Sequence, residues 1–553
     1  MKNRTTSDNI SPLNRRELLT SFLGLPVAMT AGCVAGPTTL PPEGRIVGGS
    51  ADIGHRLRDG MRPSVPDHAW TDIEVVIVGG GIAGLSAARK LQQSGIDSFV
   101  LLELEQQPGG TSVSGQSELI SYPWGAHYLP VPLPHNESLI RLLDEMGLVE
   151  DRDVDGSPRI AEHYLCRAPQ ERVFYKGFWY EGLFLHADAS PRDLQQLQDF
   201  QQQVHQLVDW RDDAGRRAFT IPAAECSQHP RMLGLDALTM SDWLKKQGFS
   251  SERLWKFIDY ACRDDYGLTV EQTSAWAGLF YFASRVGQSG RESQPFITWP
   301  EGNGRIVAHL AALSEQQIQS GWAVTAVEPG VNNADRITVT AFQSDTAAVR
   351  GWRARHVIFA APPFLAPYLI PELDRERKAA FRSFEFGSWL VANLHLTDRP
   401  QSTGFPLSWD NVLYESPSLG YVAATHQRGM DFGPTVLTYY YPLCDDDPQV
   451  ARQRLLSLSW DEWADVVLSD LERAHPEIRT LCRRLDIMRW GHAMVRPRPG
   501  FITGAARRIS LQAYRGIHFA HSALSGLALF EEAFYHGERA AGEIMTVRNT
   551  ATS

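Results

Sequence analysis

The chain has little cysteine and no pairing pattern in it. Its six cysteines, at 33, 166, 226, 262, 444 and 482 of 553 residues, lie far apart with no C-x-x-C pair. Zinc sites are built on closely spaced thiolates and imidazoles, so a structural metal is excluded. With Cys33 set aside the rest are odd in number, and at least one must stay a thiol or pair outside the chain. Positive charge is also in deficit. The formal net charge is −11, and residues 1–32 carry Lys2, Arg4, Arg15 and Arg16 against Asp8 and Glu17, so the chain without them has −13. Phosphate backbones are held by an excess of Lys and Arg, which excludes nucleic acid as a partner class. The acidity suits a soluble surface first and a cationic substrate second. What is present is length and apolar content: 43% apolar residues over 553 positions can fill several cores, at about 100–200 residues per domain. Two domains are the starting expectation.

The strongest local pattern is Glu74-Val75-Val76-Ile77-Val78, then Gly79-Gly80-Gly81-Ile82-Ala83-Gly84, then Leu85-Ser86-Ala87-Ala88-Arg89-Lys90-Leu91. It reads as strand, glycine turn and helix. Gly79 permits the tight turn, Gly81 lets backbone approach a pyrophosphate, and Gly84 lets helix pack on strand; the helix start offers free N–H groups to an anion. A second strand, residues 98–102, ends at Glu103, nineteen residues past Gly84. A carboxylate there can accept from the hydroxyls of an adenosine ribose, and it disfavours a 2′-phosphate.

Pro108-Gly109-Gly110-Thr111 follows, and this segment resembles the glycine pair that continues the FAD site in the flavin-containing amine oxidase, protoporphyrinogen oxidase and phytoene desaturase superfamily. Thr111 stands where those chains carry Arg. Gly125-Ala126-His127-Tyr128 falls where they have a glycine-rich turn near the flavin ring, which makes His127 a ring neighbour. Further on, the segment from Trp299 to Arg305 is similar to the return into the FAD domain. Trp322-Ala323-Val324-Thr325-Ala326-Val327 is similar to the strand whose valine, here Val324, meets the adenine. His356 to Pro363 is similar to the strand before the second excursion. Gly516 to Ser522 and His536 to Ala541 resemble the closing motif, a strand and a helix whose N-terminus faces the flavin. That resemblance assigns Ser522 and Ala533 to the cofactor. Ser522 replaces an acidic residue, and Glu532 stands where a small Gly is usual.

The resemblance implies FAD as cofactor and hydride transfer from an organic, small-molecule substrate, with an amine as the first expectation. The lysine that many such amine oxidases carry early in the second excursion has no counterpart in Phe386-Gly387-Ser388-Trp389-Leu390-Val391-Ala392-Asn393-Leu394. An aromatic cage is not evident either, since residues 524–530 offer only Phe530. Trp490, just before the closing motif, is the expected substrate-facing ring; with His127 it makes the candidate catalytic pair. Residues 172–180 read as an aromatic hairpin turning at Lys176-Gly177. Arg263 and Asp265, at a charge-dense helix end, read first as a surface ion pair and second as lining of a pocket.

The first forty residues read as an address. Arg15-Arg16 before the apolar run 18–29 resembles a twin-arginine export signal, and that run is too short to span a bilayer. Thr30-Ala31-Gly32-Cys33 resembles a lipoprotein cleavage box, which would make Cys33 a lipid anchor. Export machinery is thus an expected partner and the periplasm the expected location. Residues 37–70, with Pro37, Pro41, Pro42, Pro63 and Pro66, suit a tether. Arg45-Ile46-Val47-Gly48-Gly49 mimics a trypsin-like activation site, but no Gly-Asp-Ser-Gly segment completes a triad.

The expected fold is α/β: a discontinuous Rossmann-like FAD-binding domain (72–149, 299–365, 482–545) and a mixed α+β substrate domain (150–298, 366–481), after a leader (1–32) and a linker (33–71). Two rivals stand beside amine oxidation. One is a desaturase for an apolar, isoprenoid-like substrate; the other is an FAD-binding protein without turnover, suggested by Thr111, Ser522 and Glu532. An acidic or aromatic-caged cavity favours the amine, and an apolar one the desaturase.

Overall fold

The computed structural model describes residues 42–287, 295–330, 336–343, 345–430, 432–444 and 447–552. The expected leader and Cys33 lie outside them.

The chain shuttles between two sheets. It begins with β1 (Ile46–Val47), α1 (Ala51–Arg58), β2 (Trp70–Val78), α2 (Ile82–Gln93) and β3 (Phe99–Leu102). A first excursion brings β4 (Glu171–Tyr175), β5 (Phe178–Glu181) and α3 (Glu252–Tyr266). The chain returns through β6 (Ile318–Gln319), β7 (Trp322–Glu328), β8 (Ile337–Gln343) and β9 (Val349–Phe359). It leaves again through β10 (Phe386–Leu396), β11 (Asp410–Leu413), β12 (Gly420–Ala423), β13 (Thr435–Pro442) and β14 (Cys482–Val495). It closes with β15 (Ile517–Phe519) and α4 (Phe530–Thr552).

Among the described residues the first sheet runs β6-β3-β2-β9-β8-β7, with β15 beside β9. Its centre is parallel: Val76 of β2 lies opposite Val100 of β3 and Val357 of β9. Parallel strands are covered on both faces, which is why Val75, Val76 and Ile77 form an unbroken apolar run with 0% exposure. Helix α2 covers one face and meets α4 through small residues. A Cβ on Gly537 would fall 2.2 Å from the Ala83 carbonyl oxygen. Arg89 staples this contact, at 2.6 Å from Glu145 and 3.0 Å from Glu538. Arg89 is buried while Glu145 is partly exposed, so the guanidinium is held in the contact from two sides.

The second sheet runs β1-β14-β10-β13-β12-β11-β4-β5. Lys176 and Gly177 have φ of 47° and 88°, the two left-handed residues that a tight two-residue hairpin turn between β4 and β5 requires. Two features differ from the sequence expectation. Strand β14 pairs along its length with β10, from Phe386 opposite Val495 to Leu396 opposite Cys482, so it belongs to the second sheet and the third cofactor segment begins after 495. Residues 42–71 are not a free tether. Ile46 and Val47 add to the edge of β14 opposite Ile487 and Met488, and Leu57 of α1 is buried.

Candidate cofactor and substrate site

Strand β2 ends where the backbone must turn sharply. Gly79 has φ +102°, and a Cβ there would come 3.0 Å from the Ala360 carbonyl oxygen. Gly81 then caps α2 with no side-chain hydrogen bond, leaving the first-turn N–H groups directed at whatever lies before them. A second glycine loop faces the first. The Gly109 N–H donates to the Gly80 carbonyl at 2.8 Å, and a Cβ on Gly110 would sit 3.4 Å from the Gly81 Cα. The result is a cradle of bare backbone at a helix start, shaped for a diphosphate. Gly84, also assigned to the cofactor from sequence, does not line the cavity. It packs against the loop, with a Cβ position only 1.9 Å from the Gly79 carbonyl oxygen.

Glu103 sits beside the cradle, 9% exposed. Its carboxylate accepts from Gly80 N at 2.6 Å and Glu105 N at 2.8 Å. Burial raises its pKa, while these backbone donors pull it back. Each oxygen keeps a lone pair for a ribose hydroxyl. The cavity beyond has a volume of about 1080 Å³, just above the roughly 300–1,000 Å³ common for ligand sites, which suits a ligand of dinucleotide size with a substrate beside it. It is lined by Gly79, Gly81, Ile82, Ala83, Glu103, Gly109, Gly110, Thr111, Gly125, Ala126, His127, Tyr128, Val324, Trp490, Ser522 and Ala533. The start of α4, at Phe530, Glu531 and Ala533, also faces it, so a second helix N-terminus is directed at the far end of the site. Glu532 turns away. It accepts from Ala223 N at 2.7 Å and Ser525 Oγ at 2.5 Å, and burial pushes its carboxyl up to about 7.

At that far end the rings come from elements the sequence did not bring together. His127 stacks on Tyr440 of β13 with centroids 4.7 Å apart, and Trp389 of β10 and Trp490 of β14 line the same chamber. Tyr440 donates to the Gly125 carbonyl at 2.9 Å, and Trp490 Nε1 to the Trp124 carbonyl at 2.6 Å. These bonds fix the rings on the glycine-rich turn. His127 shares a 3.2 Å contact between Nδ1 and the Gly125 carbonyl, and burial lowers its pKa to about 4. It is therefore a neutral imidazole near pH 7.

Acidic groups complete the chamber. Asp265 is not a surface partner of Arg263. It is buried and held by Arg285 at 2.7 Å, while Arg263 pairs with Asp259 one turn back at 2.6 Å. Asp264 is half-buried, lines the cavity, and has no hydrogen-bond partner among the described residues. Burial, with Asp265 and Asp410 close by, raises its pKa well above the usual carboxylate range. The dense Arg263-Asp264-Asp265 run was a visible signal in the sequence; its cationic partner, Arg285, was not.

A bare-backbone cradle at a helix start, a carboxylate beside it and an aromatic chamber beyond have the form of a dinucleotide site. Residues 82–545 match the family model of flavin containing amine oxidoreductase, and the chain belongs to that family, with FAD as its cofactor. It is 24% identical over 339 residues to amine oxidase [flavin-containing] A of Sus scrofa, a match covering 59% of this chain and 57% of that relative's length. It is also 24% identical over 480 residues to the 15-cis-phytoene desaturase of an Oncidium hybrid cultivar, covering 82% of this chain and 72% of the relative. Among solved structures, wild-type putrescine oxidase bound to putrescine has the same fold, with TM-score 0.63, 17% identity, and coverage of 86% of this chain and 100% of that one.

Proposed function

We propose that this protein is an oxidoreductase that oxidises an amine at the carbon bonded to nitrogen. The observation that carries this is Asp264, a carboxyl without a hydrogen-bond partner among the described residues, in a chamber lined by His127, Tyr440, Trp389 and Trp490. Aromatic faces and a carboxylate both attract a substituted ammonium, and a bound cation would draw the proton off Asp264. Bound FAD supplies the hydride acceptor. An ammonium R–CH₂–NH₃⁺ becomes the iminium R–CH=NH₂⁺ by losing one hydride and one proton, so the chain must accept the proton. Nδ1–H of His127 donates to the Gly125 carbonyl, which leaves Nε2, without a hydrogen-bond partner among the described residues, to take it. The amine-named oxidases among the similar proteins support this reading.

The second reading, oxidation of an isoprenoid-like chain, is supported by the long desaturase match and the cavity's size. It would set an apolar tail against Asp264 and the Asp265–Arg285 pair, an unfavourable burial for both. Anaerobic mixing of the loaded protein with amines, amino acids and isoprenoids tests the choice. Bleaching of the flavin by amines supports the proposal, and bleaching by isoprenoids alone overturns it. We also propose, from the Arg15-Arg16 segment, that the enzyme acts outside the cytoplasm.

A further inference from the structure

Residues 42–58 precede the region that matches the family, which begins at residue 82. They nevertheless form a continuous bridge between the two sheets. At one end the Glu43 N–H donates to the Arg483 carbonyl at 2.9 Å, and Leu485 and Ile487 donate back to Glu43 and Arg45 at 2.8 and 2.9 Å. Gly44 lies so close to β14 that a Cβ would fall 1.9 Å from the Leu485 carbonyl oxygen. Gly48 and Gly49, with φ of 75° and 69°, then turn the chain off the sheet, a conformation glycine adopts freely.

At the other end the segment is latched to the cofactor domain. Ser50 N and Oγ donate to the two carboxylate oxygens of Glu105 at 2.8 and 3.0 Å, and Glu105 N donates in turn to Glu103. Leu57 is 4% exposed and packs in the same apolar cluster as Val78 and Leu369; farther on, Arg62 donates to the Tyr368 carbonyl. Between these anchors Gly49, Ser50, Gly54 and His55 face the cavity that Gly81 and Glu103 also line. A Cβ on Gly49 or Gly54 would meet no protein atom within 4 Å, so the space beside these two cavity-lining glycines is open.

We propose that residues 48–55 are cofactor-binding residues: a strap that closes the open side of the FAD cleft and slows the cofactor's release. The proposal rests on the assignment of the cavity to FAD. The latch joins the strap to the loop that carries the ribose carboxylate, so cofactor and strap are held by one set of contacts. Lifting the strap requires breaking both Ser50–Glu105 hydrogen bonds and the Leu57 contact.

The test uses the full chain loaded with FAD, in three forms beside wild type: Ser50→Ala with Glu105→Gln, Gly54→Leu, and Gly54→Ala as the small control. The rise of free-flavin fluorescence after dilution gives the release rate, and circular dichroism melting of each apoprotein reports the fold. The latch variant should release FAD at least about tenfold faster, as for one charge-assisted hydrogen bond lost. Gly54→Leu, whose side chain enters the cleft, should bind FAD at least about tenfold more weakly at an unchanged melting temperature, with Gly54→Ala near wild type. Release and affinity within about twofold of wild type in both the latch and Leu variants would overturn the strap. A wild-type chain that takes up no FAD would overturn the cofactor assignment itself and the strap with it.

Discussion

Two neighbouring glycines should respond oppositely to the same methyl group. Gly81 has φ −71° and ψ −178°, which alanine adopts without strain, and a Cβ there would have its nearest protein atom 4.0 Å away at Gly110. Gly81→Ala should therefore leave the apoprotein's stability within about 1 kcal/mol, the cost of a poorer helix cap. The methyl would instead occupy the surface on which the diphosphate rests. Losing one charge-assisted hydrogen bond from backbone to phosphate costs about 1.5–3 kcal/mol, which is about 10- to 150-fold in FAD affinity. Gly84→Ala places its Cβ 1.9 Å from a backbone oxygen, against about 3.4 Å for ordinary contact, so α2 must shift on the loop. Such overpacking costs about 1–3 kcal/mol of fold stability or more. Urea unfolding of the apoproteins and titration with FAD by fluorescence quenching separate the two effects. The reasoning is refuted if Gly81→Ala binds FAD as wild type does, or if it loses as much stability as Gly84→Ala.

Three further outcomes follow from the chamber. Asp264→Asn should raise KM for a cationic amine by about tenfold or more, with a smaller change in kcat, and steady-state kinetics across pH should show the wild-type KM falling as pH rises while the variant's is flatter. Arg285→Leu leaves Asp265 buried and unpaired, so urea unfolding should show a loss of about 3–5 kcal/mol, partly restored by adding Asp265→Asn. Asp410, whose carboxyl burial pushes up to about 7, gives a pH signature. Its unfolded counterpart titrates near 3.9, so folding takes up a proton between about pH 4 and 7, and this favourable linkage fades as pH rises through the window. Asp410→Asn removes the linkage; its stability relative to wild type should grow from pH 4 to pH 8, as chemical denaturation at the two ends would show.

The cofactor end was legible because backbone geometry dictates it. Gly79 and Gly81 are required by a turn and a close approach, and Glu103 by the length of one β-α-β unit, all within thirty residues. The substrate end was legible only in part. His127 and Trp490 could be named from their places beside the glycine turns, but Tyr440, Trp389 and Asp264 reach the chamber from β13, β10 and the end of α3. No local pattern marks Tyr440 or Trp389, which are ordinary apolar-strand positions until long-range pairing sets their direction, and the charge-dense run holding Asp264 showed in the sequence without showing which way it faces. The same holds for β14, whose mixed apolar and charged sequence suits either sheet until its register with β10 decides. Residues 42–58 were hidden by composition. Pro42 and four glycines read as a linker, whereas the contacts that hold the segment are a two-residue strand, one Ser–Glu latch and the buried Leu57.

The flavin content of the purified full chain tests the central claim most directly. Denaturation should release about one FAD per chain, held by the cradle of Gly79, Gly81 and Gly110 beside Glu103. A folded, colourless chain that leaves added FAD free in solution would contradict it.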